Sequence, residues 1–167
     1  HSSAASDVYK RQVFQFALNF NDYMIEDGER PDSIAEGLYA SAKYDWVVLL
    51  SANIVNVENE WPISEGLLWD IANEKYGENL NAVHHYETKE VKDSEDRLIL
   101  PGKLVVDSDF TIQDPDNYNL TLNPTVAVSN WLVETRKNNE KRAIKVIKRE
   151  YLSTLVNDTK NIMKYQS

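Results

Sequence analysis

The sequence predicts an α+β protein, in which a strand-helix-helix-strand unit is followed by a helix, a small antiparallel β region and a C-terminal helix. Apolar residues recur at helical spacing in several stretches, whereas the middle of the chain is rich in β-branched residues. Glycine and proline stand between these stretches, where turns are expected. The 167 residues suffice for one domain with an appendage and for a substantial core.

The first unit begins with a short strand at 23–25 and a tight turn. Gly28 is expected to take a positive φ in that turn, and Pro31 suits the first position of the helix that follows. A second helix is predicted to begin after Ser41 and to end near Asn53. A return strand at 61–63 is expected to close the unit.

The clearest helix of the chain is predicted at 64–77. Ser64 offers an N-cap oxygen, and Gly77 suits the left-handed position after the last turn. The expected buried face consists of Leu67, Leu68, Ile71, Ala72 and Tyr76.

A β pattern replaces the helical one after residue 82. Strands are expected at 83–88, 97–100 and 103–106, and the charged run at 87–96 is interpreted as a solvated hairpin tip. Residues 107–124 read as a long loop with a short strand, which either docks on a neighbour or stays mobile.

The last third is predicted to contain a β hairpin and an amphipathic helix. Segments rich in β-branched residues at 126–135 and 141–148 flank a turn, although one continuous helix remains the alternative. From Glu150 to about Lys164, apolar residues follow helical spacing. The favoured interpretation places this helix on the chain's own sheet, and the alternative docks it on another subunit.

These elements divide the chain into four parts. Residues 1–12 look like a translated sequencing adaptor and are expected to be an artefact, with a short disordered arm as the alternative. The strand-helix-helix-strand unit and its following helix occupy 13–77. The hairpins and the long loop occupy 78–130, and the last hairpin and helix occupy 131–167.

Composition excludes several classes of protein. The formal net charge of −9 argues against a nucleic-acid partner, because such binding depends on clustered Lys and Arg. The absence of cysteine excludes disulfides, thiol nucleophiles and thiolate metal sites. The sequence has no apolar run of the roughly 18 residues that a membrane span requires.

Neither catalysis nor metal binding is predicted. His84 and His85 are neighbours on a predicted strand, so their side chains are expected on opposite faces, unsuited to sharing a metal. No nucleophile elbow of the Gly-x-Ser-x-Gly type occurs. The sequence therefore predicts no catalytic residues, no metal, no cofactor and no small-molecule substrate.

The order of elements in the first unit resembles the LysM module. Tyr23, Gly28, the Ile-Ala pair at 34–35 and Asn53 stand at the matching places. This resemblance implies an alternative function, a carbohydrate-binding module that recognises peptidoglycan or chitin. Its candidate glycan site consists of Asp27, Gly28, Asn53 and Ile54.

A second, more specific resemblance is to the small LysM-containing baseplate wedge protein of contractile-tailed, T-even-like phages. It is carried by residues 34–39, 44–50, 61–64 and 139–152, and it extends over 20–75 and 131–163. The resemblance implies a structural role in the virion, without catalysis, and partners among the other baseplate wedge and hub proteins.

Candidate contact residues follow from exposure arguments about large apolar side chains. Trp and Tyr are enriched among the residues that anchor protein interfaces. The C-terminal helix has an apolar stripe on one side only. The predicted protein interface therefore consists of Trp46, Trp61, Tyr151, Leu152, Leu155, Val156 and Ile162.

Overall fold

The computed structural model describes residues 19–164, with side chains described through residue 161. The segment expected to be an adaptor, 1–12, lies outside the described residues. Within 19–164 the α-helices are α1 (Pro31–Tyr39), α2 (Asp45–Ser51), α3 (Val57–Glu60), α4 (Glu65–Tyr76), α5 (Asn130–Glu140) and α6 (Leu152–Lys164). The strands are β1 (Phe20–Met24), β2 (Val83–Thr88), β3 (Val91–Lys92), β4 (Leu98–Leu100), β5 (Val105–Val106), β6 (Ile112–Gln113), β7 (Thr121–Leu122), β8 (Thr125–Ser129) and β9 (Ala143–Ile147). Short 3₁₀ turns occupy Ala42–Tyr44, Gly77–Asn79 and Arg149–Tyr151. The predicted α+β class is confirmed.

The chain forms two compact units, one inserted in the other. Unit 1 comprises residues 1–64 and 138–167, and unit 2 comprises residues 65–137. The sequence-based division followed the order of elements along the chain. Strand pairing between distant segments produces different bounds, because it places β9 in the same unit as β1.

A two-stranded antiparallel sheet joins the two halves of unit 1. β1 pairs with β9, with Tyr23 opposite Ile144 at the centre. The return strand expected at 61–63 is wrong, since these residues form no strand and Pro62 has no N–H to donate to a ladder. The strand that closes the unit comes instead from after the insertion.

The predicted turn and both predicted helices of unit 1 are confirmed. Gly28 has a φ of 71°, which favours glycine. Pro31 is the first residue of α1, and α2 ends at Ser51, two residues before Asn53. The Tyr39 hydroxyl donates to the carbonyl oxygen of Ile147 at 2.7 Å and so ties α1 to β9.

The core of unit 1 is formed between this sheet and the helices. Its buried members come from α1, α2, β9 and the segments beside them: Ile25, Ile34, Ala35, Tyr39, Val47, Val48, Trp61, Ile144, Val146 and Ile147. Every member belongs to unit 1, so this unit has a hydrophobic core of its own.

Unit 2 contains a three-stranded antiparallel sheet and two short hairpins. The sheet has the order β5-β2-β8, and the hairpins are β3-β4 and β6-β7. The predicted strands at 83–88 and 97–100 are confirmed with small shifts of their bounds. Glu87, however, is buried and not part of a solvated tip; the tip lies at 93–96.

Helix α4 is confirmed, but its predicted buried face is only partly correct. Gly77 has a φ of 53° directly after the helix, as expected. Leu68 and Ala72 are buried, whereas Leu67 and Ile71 are about half exposed. The buried stripe is therefore one pair of residues four apart, narrower than the predicted face.

The predicted hairpin at 126–148 is wrong, and so is the continuous helix that was its alternative. β8 is followed by α5 and then by β9. The Ser129 hydroxyl accepts a hydrogen bond from the backbone N–H of Leu132 at 3.2 Å and so caps the start of α5. Helix-favouring residues such as Glu134 and Arg136 then outweigh the β-branched residues between them.

No helix in the described part of the chain combines the length and the apolar character that crossing a membrane would need.

Candidate functional site

Trp61, which was expected at a subunit contact, lies in the core of unit 1. Only 7% of its surface is exposed. Its indole N–H donates to the carbonyl oxygen of Glu29 at 2.9 Å, and the Glu29 carboxylate accepts from the Tyr23 hydroxyl at 2.7 Å. Burial and the hydrogen bond to Glu29 raise the pKa of Tyr23 to about 12. Trp61 therefore stabilises the turn between β1 and α1, and little of its side chain is left for a partner.

Three of the other six predicted contact residues also pack against the core of unit 1. Trp46, Leu152 and Leu155 are partly buried against its core. Val156 is half-buried, and Ile162 lies in α6 with its side chain outside the described range. The predicted C-terminal helix is confirmed, and its first turns pack on the chain itself, as the favoured interpretation expected.

Tyr151 is the most exposed of the predicted contact residues with a described side chain. It lines an apolar groove of about 410 Å³ together with Leu155 of α6, Leu50 of α2 and Phe20 of β1. The structure thus brings two of the predicted contact residues, Tyr151 and Leu155, to one groove of unit 1.

Two of the four candidate glycan residues line a common pocket. Asn53 and Ile54 line a small pocket beside β9, but neither Asp27 nor Gly28 lines it. The Asp27 carboxylate is paired with the Arg142 guanidinium at 2.7 Å. These residues therefore have roles within the fold.

Asn53 and Ile54 form the C-terminal cap of α2. Asn53 has a φ of 56°, and its N–H donates to the carbonyl oxygen of Leu50 at 3.1 Å. The N–H of Ile54 donates to the carbonyl oxygen of Leu49 at 2.9 Å. This pair of bonds is the Schellman motif, in which a left-handed residue ends a helix.

Unit 2 presents the most extensive exposed apolar surface of the described chain. Its large side chains that are well exposed are Leu67, Trp69, Ile71, Val83, Leu98, Ile99, Leu104, Val105, Tyr118, Leu120, Val126 and Leu132. The predicted interface included none of them. A signal was nevertheless present in α4, where Leu67, Leu68, Trp69 and Ile71 spread apolar character beyond one face.

The same unit is strongly acidic along one stretch. From Leu104 to Thr135 the sequence contains no Lys, Arg or His, whereas Asp107, Asp109, Asp114 and Asp116 fall within it. None of these four carboxylates has an ion pair within the described residues. This stretch therefore presents uncompensated negative charge beside exposed apolar side chains.

A partly buried ion pair fixes α5 on the sheet of unit 2. The Arg136 guanidinium donates to the Glu87 carboxylate at 2.6 Å, and His85 Nε2 lies 2.8 Å from the same oxygen. The hydrogen bond from Arg136 holds the pKa of Glu87 below its usual range. Similarly, the hydrogen bond from Lys75 lowers the pKa of Glu134, which also accepts from the Tyr76 hydroxyl. These shifted carboxylates belong to contacts between elements of the fold.

The histidine pair is arranged differently from the prediction. A bulge in β2 between Val83 and His85 rotates the strand, so that the Nδ1 atoms of His84 and His85 lie 2.8 Å apart. One ring donates to the other, and His85 also meets Glu87. The described residues contain no group of three His, Asp, Glu or Cys side chains arranged to hold a metal ion.

Comparison with known proteins identifies the family. A phage family model described as Base plate wedge protein 53 matches residues 3–162. The match therefore includes both units and most of the segment expected to be an adaptor. No curated protein matches the chain significantly. The protein is thus a member of the phage Base plate wedge protein 53 family, which implies a structural role in the baseplate of the virion tail and contacts with other baseplate proteins.

Proposed function

We propose that the chain is a structural subunit that joins subunits of the baseplate wedge by protein-protein contacts around the hub, without catalysis. The observation that carries this proposal is the unequal burial of apolar side chains in the two units. Membership of the wedge family supports a location in the baseplate wedge. The exposed apolar side chains of unit 2 support the joining of subunits by protein-protein contacts.

Unit 2 has more large apolar side chains that are well exposed than buried ones. Its buried apolar residues are Leu68, Ala72, Leu80 and Val128, and all other large apolar side chains are partly or well exposed. Trp69 alone, with 49% exposure, leaves a large hydrophobic area in water. Extensive exposed apolar surface on a soluble protein marks an interaction site. Unit 2 is therefore the part that binds partners.

Unit 1 serves as the scaffold that presents unit 2. Its element order, with β1 paired to β9 and the insertion placed before the closing strand, supports a LysM-like origin of the unit. Asp27 is engaged by Arg142, and Asn53 caps α2, so the residues of the alternative glycan site are used by the fold. We therefore do not favour carbohydrate binding.

The partners are the other wedge and hub proteins, met in the host cytoplasm during assembly and retained in the virion. The net charge of −9 disfavours nucleic acid and anionic membrane surfaces. No cofactor and no small-molecule substrate is required for this role.

Co-expression with the other wedge proteins of the same phage tests the proposal. We expect the chain to be retained in stoichiometric amount on tagged wedge proteins and not on a tagged head protein of that phage. Replacing Trp69 by Ser should weaken retention at least tenfold, while Val55→Ser, at a 91% exposed position of unit 1, should leave it unchanged. Failure of the unaltered chain to bind any wedge protein would refute the proposal.

A further inference from the structure

The hairpin β6-β7, together with the loops that flank it, forms an arm at residues 107–124. At its base, the Asn123 side-chain amide donates to the carbonyl oxygen of Ser108 at 3.1 Å. The two strands pair Ile112 with Leu122 and Gln113 with Thr121. The segment predicted as a long loop is therefore an ordered projection of unit 2.

The tip of the arm is fixed by its own hydrogen bonds. The Asp114 carboxylate accepts from the N–H groups of Asp116 and Asn117 at 2.9 and 3.2 Å. The N–H of Leu120 donates to the carbonyl oxygen of Asn117 at 2.9 Å. A tip held in one conformation loses little entropy when it binds.

The neighbouring hairpin β3-β4 supports the tip. The backbone N–H and the hydroxyl of Ser94 both donate to Asp116 Oδ1, at 3.1 and 2.8 Å. Asp116 thus joins the two hairpins of unit 2, and this contact further restricts the position of the arm.

Two large side chains project from this ordered tip. Tyr118 is 78% exposed and Leu120 is 52% exposed. An exposed tyrosine on a rigid turn is well suited to act as an interface anchor, because it brings a large apolar area and a hydroxyl with few rotatable bonds.

The charge of the arm specifies the chemistry of its partner. Between Asp107 and Pro124 there are four aspartates and no cationic side chain. Phosphate backbones and anionic lipid surfaces carry the same sign of charge and are disfavoured. A second copy of this chain, at −9, is disfavoured for the same reason. A protein surface rich in Lys and Arg is the complement.

We propose that the arm inserts Tyr118 and Leu120 into an apolar cleft, rimmed by Lys and Arg side chains, on another baseplate wedge protein. This inference rests on the proposed function of the chain as a wedge subunit, and it assigns the contact to one segment of unit 2. Apolar insertion supplies the affinity, and the aspartates at the base and tip favour encounter with the cationic rim.

The apolar part of the inference is tested by binding of full-length variants to the purified wedge proteins of the same phage. The double substitution Tyr118→Ser with Leu120→Ser should weaken binding on the order of 30-fold, as expected for two anchors. The control is Val55→Ser with Val57→Ser, which removes exposed apolar side chains from unit 1 and should change binding less than twofold. Circular dichroism spectra should be the same for all variants, because these side chains lie at the surface.

The electrostatic part is tested by salt dependence. Asp107→Asn with Asp109→Asn removes two charges whose side chains make no ion pair in the described structure. This variant should bind severalfold more weakly at low salt and should show a smaller loss of affinity as salt is raised. The control Glu58→Gln with Glu140→Gln removes two charges from unit 1 and should retain the full salt dependence.

The outcomes separate this inference from the proposed function. If the unaltered chain binds the wedge proteins and the arm variants bind equally well, the inference is overturned and the proposed function stands. If the unaltered chain binds none of them, both fail. Self-association of the chain that depends on Tyr118, detected by sedimentation velocity of the chain alone, would overturn the assignment of the occupant.

Discussion

Asn53 illustrates how one residue can match a functional pattern while serving the fold. It stands where the LysM resemblance places a residue of the glycan site, yet its φ of 56° and its bond to Leu50 end helix α2. Among non-glycine residues, Asn is one of the few that adopt this conformation readily. Its presence is explained by the helix cap alone.

Substitutions at this position should separate backbone conformation from side-chain chemistry. Asn53→Val should lower the free energy of unfolding by about 1–2 kcal/mol, because a β-branched residue is strained at positive φ. Asn53→Gly should be neutral or slightly stabilising. Urea unfolding of both variants checks this, and equal stability of the two would show that Asn53 is not held in the left-handed region.

Trp61 shows why exposure is difficult to infer from local sequence. Its neighbours Glu60 and Pro62 indicate a surface turn, and the adjacent polar loop supports that interpretation. The side chain is nevertheless buried, because β9 and α1 come together across the chain and leave a space that the indole fills. Burial of this kind depends on long-range pairing, which no local pattern reveals.

Helices and turns whose caps or periodic patterns lie within their own residues were predicted correctly. The Gly28 turn, α1 with Pro31 at its start, α4 ending at Gly77, and the C-terminal helix all have caps or periodic patterns within their own residues. The failures were the return strand at 61–63 and the hairpin at 126–148. Both depend on β9 pairing with β1, a partner more than one hundred residues away along the chain.

The candidate contact residues differ from the residues that the structure exposes most. Trp46, Leu152 and Leu155 were assigned to an interface, and in the structure they pack against the core of unit 1. The exposed residues in the strands and loops of unit 2 are not indicated by the sequence, because short strands and loops give weak periodicity. The strands of unit 2 are exposed because few other elements surround them. The local sequence does not show how many elements will surround a strand.

The contact between α5 and the sheet of unit 2 depends on the Arg136 and Glu87 pair. Arg136→Met should lower the free energy of unfolding by about 2 kcal/mol at pH 7, because it leaves the Glu87 carboxylate buried with only His85 beside it. This loss is smaller than for a fully buried ion pair, because the Arg136 side chain is one-third exposed. The control Lys92→Met, in the exposed pair with Asp96, should leave the free energy of unfolding nearly unchanged, because water and salt screen an exposed pair.

The pair of Arg136 and Glu87 makes the stability of the protein depend on pH, and the lowered pKa of Glu87 fixes the direction of that dependence. The folded state holds the pKa of Glu87 below its unfolded value of about 4.3, so the stability that this group contributes is present above that pH and is lost as pH falls through the folded pKa. The difference in stability between the original chain and Arg136→Met should therefore shrink below about pH 4. A difference that stayed constant down to pH 3 would show that the pair is not what Arg136 stabilises.

In the whole molecule, unit 2 is an insertion in unit 1, and the residues that flank its two ends are hydrogen-bonded to each other. The Asn138 side chain, 4% exposed, accepts from the N–H of Ile63 at 2.9 Å and donates to its carbonyl oxygen at 2.8 Å. Both residues lie in unit 1, next to the points where the chain leaves for unit 2 and returns. Unit 1 thus closes its own structure at the site of the insertion.

Unit 1 should therefore fold without the insertion. Replacing residues 65–137 by a short Gly-Ser linker should give a chain with a cooperative thermal transition, because its core residues all remain. The same deletion with Asn138→Ala should melt at a lower temperature, since the N–H and carbonyl of Ile63 lose their buried partner. Absence of any cooperative transition in the first of these chains would show that unit 1 depends on unit 2.

We propose that the chain joins wedge subunits through unit 2. Sedimentation velocity of purified wedge subassemblies from the same phage, mixed with the intact chain or with the chain lacking 65–137, tests it most directly. We predict that the intact chain co-sediments with the wedges and shifts them to larger joined species. The shortened chain should instead sediment at the low coefficient of the free protein. Wedges that join equally well with either chain, or an intact chain that sediments alone, would contradict the claim.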